Sequence, residues 1–285
     1  MILVADSGST KTNWSCFDNK QTVYFNTIGM NPYFVTEEQV KSEIQDNFPK
    51  TVSPSEIMAL YFYGSGCGRE ESQMIIINML QSIFPNAKIT VDSDLVGAAI
   101  ACYGREKGIV AILGTGMNIG YWDGEKLETP MPSLGYIFGD AGSGAVLGRK
   151  LIQSVFEKRF SQALVDKFQQ KYHLQLQELL DKVYKQPRPN AYLASFVPFL
   201  TENLDNGEIQ KMLHDAYKEF ANVYAKPISQ MYSATKISFV GSISVAFQNI
   251  LYDELAQIGV ENTFVLASPL KKIEEFMENY LIDFQ

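Results

Sequence analysis

The chain predicts an α/β fold made of two related domains, and two observations carry that expectation. Strand-like apolar runs alternate with amphipathic helical stretches, which is the pattern of α/β architecture. One hairpin design also occurs twice: VADSGSTKTNWSCFDN from residue 4 is matched in order by VAILGTGMNIGYWDG from residue 110. Val4-Ala5 aligns with Val110-Ala111, Gly8 with Gly114 and Ser9 with Thr115.

Residues 2–5 read as a buried strand, 13–17 as a second that stops at Asp18-Asn19, and 22–25 as a third. The first turn therefore joins strand to strand. A Walker A loop (G-x-x-x-x-G-K-[ST]) or a dinucleotide-binding turn would open a helix instead. Residues 36–48 carry a threonine N-cap, two glutamates in the first turn, and Val40, Ile44 and Phe48 in helical register. A strand over 57–63, a helix over 70–83 and a short strand over 88–91 follow. The second hairpin starts near 108 and turns again at Asp123-Gly124. From about 141 to 233 the pattern is helical, with Leu147, Leu151, Ile152, Val155 and Phe156 on one face and a long helix over 208–232 interrupted at Pro227. A strand over 237–240, the turn Gly241-Ser242, a helix over 243–257, a strand over 263–266 and a helix over 269–281 opened by Pro269 complete the order. The domain boundary falls near 104–108.

With 46% hydrophobic and 20% charged residues in 285, the chain has core enough for two domains. Its net charge of −8, with no basic stripe interleaved with aromatics, argues against nucleic acid as a partner. Cys16, Cys67 and Cys102 are widely spaced without a C-x-x-C, which argues against a disulfide framework, a zinc site or an iron–sulfur cluster. No apolar run reaches the ~18–20 residues of a membrane span, and the opening residues lack the order of a secretory leader. The expectation is a cytoplasmic protein acting away from membranes.

Four segments could carry chemistry. Asp6-Ser7-Gly8-Ser9-Thr10-Lys11-Thr12 is a hairpin tip whose backbone N–H groups and hydroxyls could receive phosphate, with Gly8 permitting close approach. Asp6, at the strand end, could hold hydrated Mg²⁺. Gly114-Thr115-Gly116-Met117-Asn118 offers a second such turn. Taken singly, a polar turn and a glycine bulge explain each; as a repeat they describe a clamp for one nucleotide. Asp92-Ser93-Asp94 precedes a small-residue helix, and one aspartate is expected to cap it while the other, Asp94, serves as general base. Gly135 to Gly144 holds four glycines around Asp140, which is placed to hydrogen-bond polyol hydroxyls. Gly64-Ser65-Gly66-Cys67-Gly68 imitates a dinucleotide fingerprint, but its spacing is G-x-G-x-G. His173 and His214 lie on charged helical stretches and are expected at the surface.

Together these segments resemble the sugar-kinase/Hsp70/actin superfamily, and within it the BadF/BadG/BcrA/BcrD-type ATPase and N-acetylglucosamine kinase family. The resemblance implies two ribonuclease H-like (actin-like ATPase) domains around a nucleotide cleft: residues 1–106, then 107–268 with a helical insertion at about 145–233, then a terminal helix over 269–285 packing back on the first domain. It implies ATP and Mg²⁺ as cofactors and an amino sugar as substrate. Gly8, Ser9, Thr10, Lys11 and Thr12 match the first phosphate motif, Gly114, Thr115 and Gly116 the second, and Gly241 and Ser242 the adenosine motif. Lys11 is not a Walker lysine. Asp94 is similar to the family's catalytic base; Asn31, Asn118, Gly135 and Asp140 match sugar-site positions, and Asp6 would hold Mg²⁺ through water. The chain departs from the family pattern at Leu134 (usually tryptophan), Met117 (usually serine) and Ala141 (usually glutamate), all around the sugar pocket. An ATPase driving a partner enzyme and a non-catalytic sugar sensor remain as alternatives, and a homodimer is a family-level expectation.

Overall fold

A computed structural model describes residues 1–282. The chain forms two compact units: unit 1 takes Met1–Lys107, Trp122–Leu127 and the C-terminal segment from Ser268, and unit 2 takes Gly108–Tyr121 and Glu128–Ala267.

Unit 1 is built on a sheet of β1 (Ile2–Ser7), β2 (Lys11–Phe17), β3 (Thr22–Ile28), β4 (Ala59–Gly64) and β5 (Lys88–Ser93), in the order β3-β2-β1-β4-β5. Tight turns make β1, β2 and β3 antiparallel, while β4 and β5 run parallel to β1. Parallel neighbours need long crossovers. These contain α1 (Glu37–Asn47) and α2 (Glu70–Gln81), and α3 (Asp94–Tyr103) follows β5. Thr36 caps α1 by accepting from the Gln39 N–H, and the Gln39 side chain returns to the cap, so two unpaired N–H groups are satisfied at once. Trp14 anchors the core: it stacks on Phe25 at 5.5 Å, and its indole N–H donates to Thr27 Oγ1 at 2.9 Å. Ser7, Gly64 and Ser93 are register partners, so β1, β4 and β5 end level with one another. Open α/β sheets receive ligands at the carboxyl ends of their strands.

Unit 2 repeats the plan. β6 (Gly108–Leu113), β7 (Met117–Trp122), β8 (Leu127–Glu128), β9 (Lys236–Val240) and β10 (Glu261–Leu266) lie in the order β10-β9-β6-β7-β8. Counted from the first strand of each sheet, both read 3-2-1-4-5, so the repeated hairpin in the sequence is the visible part of a repeated topology. Between β8 and β9 come α4 (Gly135–Phe138), α5 (Gly144–Phe156), α6 (Gln162–Tyr172), α7 (Leu176–Tyr184), α8 (Pro189–Ala194), α9 (Val197–Glu202), α10 (Gly207–Phe220) and α11 (Lys226–Tyr232). α12 (Ser242–Ala246) and α13 (Gln248–Ala256) join β9 to β10.

The last helix, α14 (Leu270–Ile282), belongs to unit 1 and packs on α3, β1 and β2. Its buried Glu274 accepts from the Ser15 hydroxyl at 2.8 Å and the Tyr24 hydroxyl at 2.9 Å. Those bonds replace the water this carboxyl loses on burial.

Two helices differ from expectation. The long helix over 208–232 is not broken at Pro227; it passes through a π-helical turn at Ala221–Ala225, where the Lys226 N–H reaches back to the Ala221 carbonyl. Proline has no N–H and its ring crowds the carbonyl four residues earlier. A widened turn ahead of it relieves both problems while the chain stays helical. The helix over 243–257 divides at Phe247, whose ring is buried and whose backbone leaves helical geometry (φ −122°, ψ 24°). Among the described residues, no helix is long and apolar enough to cross a membrane.

Candidate functional site

In unit 1 the candidate residues gather at the carboxyl edge of β1, β4 and β5. The first turn is closed by the Gly8 N–H to the Lys11 carbonyl at 3.0 Å and braced by the Gly29 N–H to the Thr10 carbonyl at 2.9 Å. Gly29 must be glycine: a Cβ there would stand 2.4 Å from the Gly8 carbonyl oxygen. Ser9 is half-buried, and Thr10 and Lys11 are exposed. Thr12 lies elsewhere than its place in the motif implies. It is buried, bonds Ser7 Oγ at 2.7 Å and donates to the Ile28 carbonyl at 2.8 Å, so its hydroxyl locks the hairpin from beneath.

Asp6 accepts from Asn13 Nδ2 at 3.4 Å and from Ser268 Oγ at 3.2 Å, the latter from just before α14. Burial raises its pKa to about 6 against the pull of those two bonds. Asp94 opens α3. Burial, and then the charge of Asp6, raise its pKa to about 6 as well. Neither aspartate of the Asp92-Ser93-Asp94 segment is the cap. Ser93 is the N-cap, accepting from the Val96 N–H at 3.3 Å, while Asp92 accepts from the Ser93 N–H at 2.7 Å. A serine at the half-in position leaves both carboxylates out of the capping role. Gly97 lets α3 press on the Tyr63 ring, since a Cβ there would be 2.7 Å from Tyr63 Cβ.

Asn31 is buried and accepts from the Tyr33 N–H at 3.0 Å. Against it sits Gly66, with φ +84°, where a Cβ would meet the Asn31 amide at 2.8 Å. Gly66 belongs to the segment that imitates a dinucleotide fingerprint. That segment lies on the same edge: the Ser65 N–H donates to the Ser7 carbonyl at 2.8 Å, and Ser65 Oγ is buried with no partner among the described residues. Sequence reading set Ser65 and Ser268 outside the site. For Ser65 the signal is position, directly after β4 at this edge; Ser268 comes two residues after β10, a strand of the other sheet, and carries no such signal.

In unit 2 three segments distant in sequence meet at the second turn. The Gly114 N–H closes the turn on the Gly116 carbonyl at 3.0 Å. The first N–H groups of α5 hold it from outside, Gly144 to the Gly114 carbonyl at 2.8 Å and Ala145 to the Thr115 carbonyl at 3.0 Å. Asp140 reaches the turn with its side chain. It accepts from the Met117 N–H, and its Oδ2 lies 3.1 Å from where a Cβ of Gly116 would be. Burial raises its pKa to about 6, and the Met117 bond opposes the shift. Gly241, with φ +121°, meets the turn's other flank, its absent Cβ 2.2 Å from the Leu113 carbonyl oxygen. Asn118 accepts from the Ile119 N–H at 3.0 Å and Ser242 is exposed. Gly135, with φ +68°, opens α4, whose Ile137 and Phe138 are exposed. Leu134 is exposed too, while Ala141 is buried in the unit's apolar core.

The sign of the Asp140 shift predicts a pH effect. A carboxyl of pKa about 6 folded against 3.8 for the ordinary value binds its proton more tightly in the folded state. Its contribution to stability is fully present below pH 3.8 and is lost as pH rises through 6. Asp140→Asn is therefore expected to be more stable than wild type at pH 7. That advantage narrows by about 1 kcal/mol on going to pH 5. Thermal denaturation of both proteins across that range checks it, and a constant difference overturns it.

A solved structure assigned as an N-acetylglucosamine kinase, from Porphyromonas gingivalis, superposes on the chain with a TM-score of 0.89; it is 32% identical and the match covers 98% of this chain and 99% of that one. The chain belongs to the N-acetylglucosamine kinase family. Within the family, a curated N-acetylmuramic acid/N-acetylglucosamine kinase of Clostridium acetobutylicum is 25% identical over 273 residues, covering 89% of this chain and 88% of the relative. A ROK-family glucokinase from Streptomyces griseus, solved with glucose and AMPPNP, shares the fold at a TM-score of 0.56 and 12% identity, over 96% of this chain and 98% of that one. No family model matches the chain. In this member of the family, the hairpin, the carboxylates and the Gly241 turn stand on the two matching sheets described above.

Proposed function

We infer that the chain is an ATP-dependent amino-sugar kinase that phosphorylates the 6-hydroxyl of N-acetylglucosamine. The observation that carries the reading is Asp94: a carboxyl at the start of α3, within electrostatic reach of Asp6 and level with the first phosphate turn, in a chain of this family. A pKa of about 6 leaves it ionised at neutral pH yet basic enough to take a proton. The sugar hydroxyl oxygen bonds the γ-phosphorus, the bond to the bridging oxygen breaks with ADP as leaving group, and the hydroxyl proton passes to Asp94. Such transfer is chiefly positioning and charge stabilisation. Asn31, Ser65 and Asp140 bind the sugar; the two turns receive phosphates through backbone N–H groups, and Gly241-Ser242 borders the adenosine.

Asp6 and Asp94 are two half-buried carboxyls whose charges repel, and Asp6 also accepts from the Ser268 hydroxyl and the Asn13 amide nitrogen. This hard, acidic donor set fits Mg²⁺, which would be held through Asp6 and would neutralise developing phosphate charge. The order of motifs supports placement in the BadF/BadG/BcrA/BcrD-type branch. The shared strand order supports reading both units as ribonuclease H-like domains, the second carrying the helices from α5 to α11 as an insertion.

The test is ADP release over a panel of N-acetylglucosamine, N-acetylmuramic acid, N-acetylmannosamine and glucose, with ³¹P NMR of the product. N-acetylglucosamine is expected to turn over at its 6-hydroxyl, and Asn31→Ala to raise its KM by about tenfold or more, the equivalent of one or two lost hydrogen bonds. ATP hydrolysis that ignores sugar, or turnover of another sugar alone, sinks the assignment.

A further inference from the structure

The π-helical turn at Ala221–Ala225 has a consequence for Asp140. A residue added to a helical turn rotates the following side chains by about 100° around the axis. Such turns recur at functional sites. Here the turn carries Tyr224, which is 8% exposed and whose ring lies against Phe220 with centroids 6.1 Å apart. Its hydroxyl reaches the loop ahead of α5, where a Cβ on Gly139 would stand 3.0 Å from the phenolic oxygen. The Asp140 backbone N–H lies near that oxygen and favours negative charge on it. Two residues after Asp140, Gly142 (φ +79°) is seated on the ring of Tyr217, 3.2 Å from where its Cβ would be. The loop thus rests on two tyrosines of one helical run, with a small residue above each.

Asp140 needs that support. Its φ of +58° is left-handed, which a non-glycine residue adopts at a cost and only where its surroundings hold it there. The Met117 N–H holds its carboxylate from one side. Without a fixed backbone, that bond alone would leave the carboxylate free to swing with the loop.

We propose that Tyr224 is a positioning residue for sugar recognition: its hydroxyl, delivered by the π-helical turn, fixes the left-handed backbone of Asp140 and so aims the Asp140 carboxylate at the substrate. The proposal rests on the reading of Asp140 as a sugar ligand. Tyr224 touches no reacting atom, and its effect runs through Asp140 alone.

The experiment compares Tyr224→Phe, Asp140→Asn and the double variant of the full chain, with N-acetylglucosamine and ATP as substrates. Tyr224→Phe keeps the buried ring and removes only the hydroxyl. It is expected to raise the sugar KM about 5- to 20-fold, to change kcat and the ATP KM less than about threefold, and to leave Tm within about 2 °C. The double variant is expected to be no worse for the sugar than Asp140→Asn alone, because both changes remove one function. A tyrosine that is merely structural would lower Tm and affect both substrates, and its effect would multiply with that of Asp140→Asn; either pattern overturns the proposal, as does a sugar KM within twofold of wild type. If Asp140→Asn itself leaves the sugar KM unchanged, the reading of Asp140 falls and the proposal with it. If Asp140→Asn raises the sugar KM and Tyr224→Phe does not, only the role of Tyr224 falls.

Discussion

Asp94→Asn is expected to lower kcat by about 10²–10⁴-fold, the usual contribution of a general base, while raising the Tm of the ligand-free protein. The two effects have one cause. Asp94 is held where water is scarce and the charge of Asp6 opposes its own, so its ionised form is the unfavourable one in the folded state. Asparagine has the same shape and no charge to desolvate. The expected gain at pH 7 is on the order of 1 kcal/mol, less than the full shift implies, because the Asp94 side chain keeps partial contact with solvent. Substrate affinities should change little, because a base acts in the transition state. A coupled ADP assay and a thermal melt on the same preparation decide it. Residual activity within about tenfold of wild type would show that another group takes the proton. A lower Tm would show that the carboxylate is stabilising the fold.

Gly241→Ala has the largest expected effect on stability. The residue combines φ +121° with the tightest backbone approach at the second turn, its Cβ position being 2.2 Å from the Leu113 carbonyl oxygen and 2.8 Å from the Leu113 carbonyl carbon. Neither contact is a flexible side-chain end that could move aside. The dihedral strain alone is about 1–3 kcal/mol, and the clash must displace either β6 or the start of α12. We expect a loss of more than about 3 kcal/mol in urea unfolding, with weakened binding of an ATP analogue in what remains folded. Gly135→Ala is the control. It also has positive φ, +68°, but open space around it, so its loss should stay near 1 kcal/mol. Equal losses at both positions would mean that dihedral strain, and not the Leu113 contact, governs Gly241.

The sequence shows where each turn lies more plainly than what each side chain does. Asp6, Gly8 and Gly114 stand out because an apolar run ending in a small polar turn is local, and the same order occurs twice. The cap of α3 is ambiguous in the sequence because three polar residues in a row, Asp92, Ser93 and Asp94, are each good caps. Only the point where β5 stops, set by pairing with β4, selects the middle one. Thr12 reads as a turn hydroxyl, yet its place opposite Ser7 in the β1–β2 register buries it. The Gly64 to Gly68 segment misleads in the opposite direction. It lacks the dinucleotide spacing, and its link to Asn31 runs through Gly66, 35 positions away in the chain.

The class of fold, the repeated hairpin and the order of the motifs are legible in the chain because they depend on periodicity and turn chemistry within a dozen residues. The tertiary structure decided which groups meet. Asp140 comes to Met117, Gly241 to Leu113, Ser268 to Asp6 and Tyr224 to Gly139. The physical reason is that these contacts follow from sheet order and from where the intervening helices end. A hydrogen bond or an absent Cβ at such a contact leaves no periodic trace in the chain.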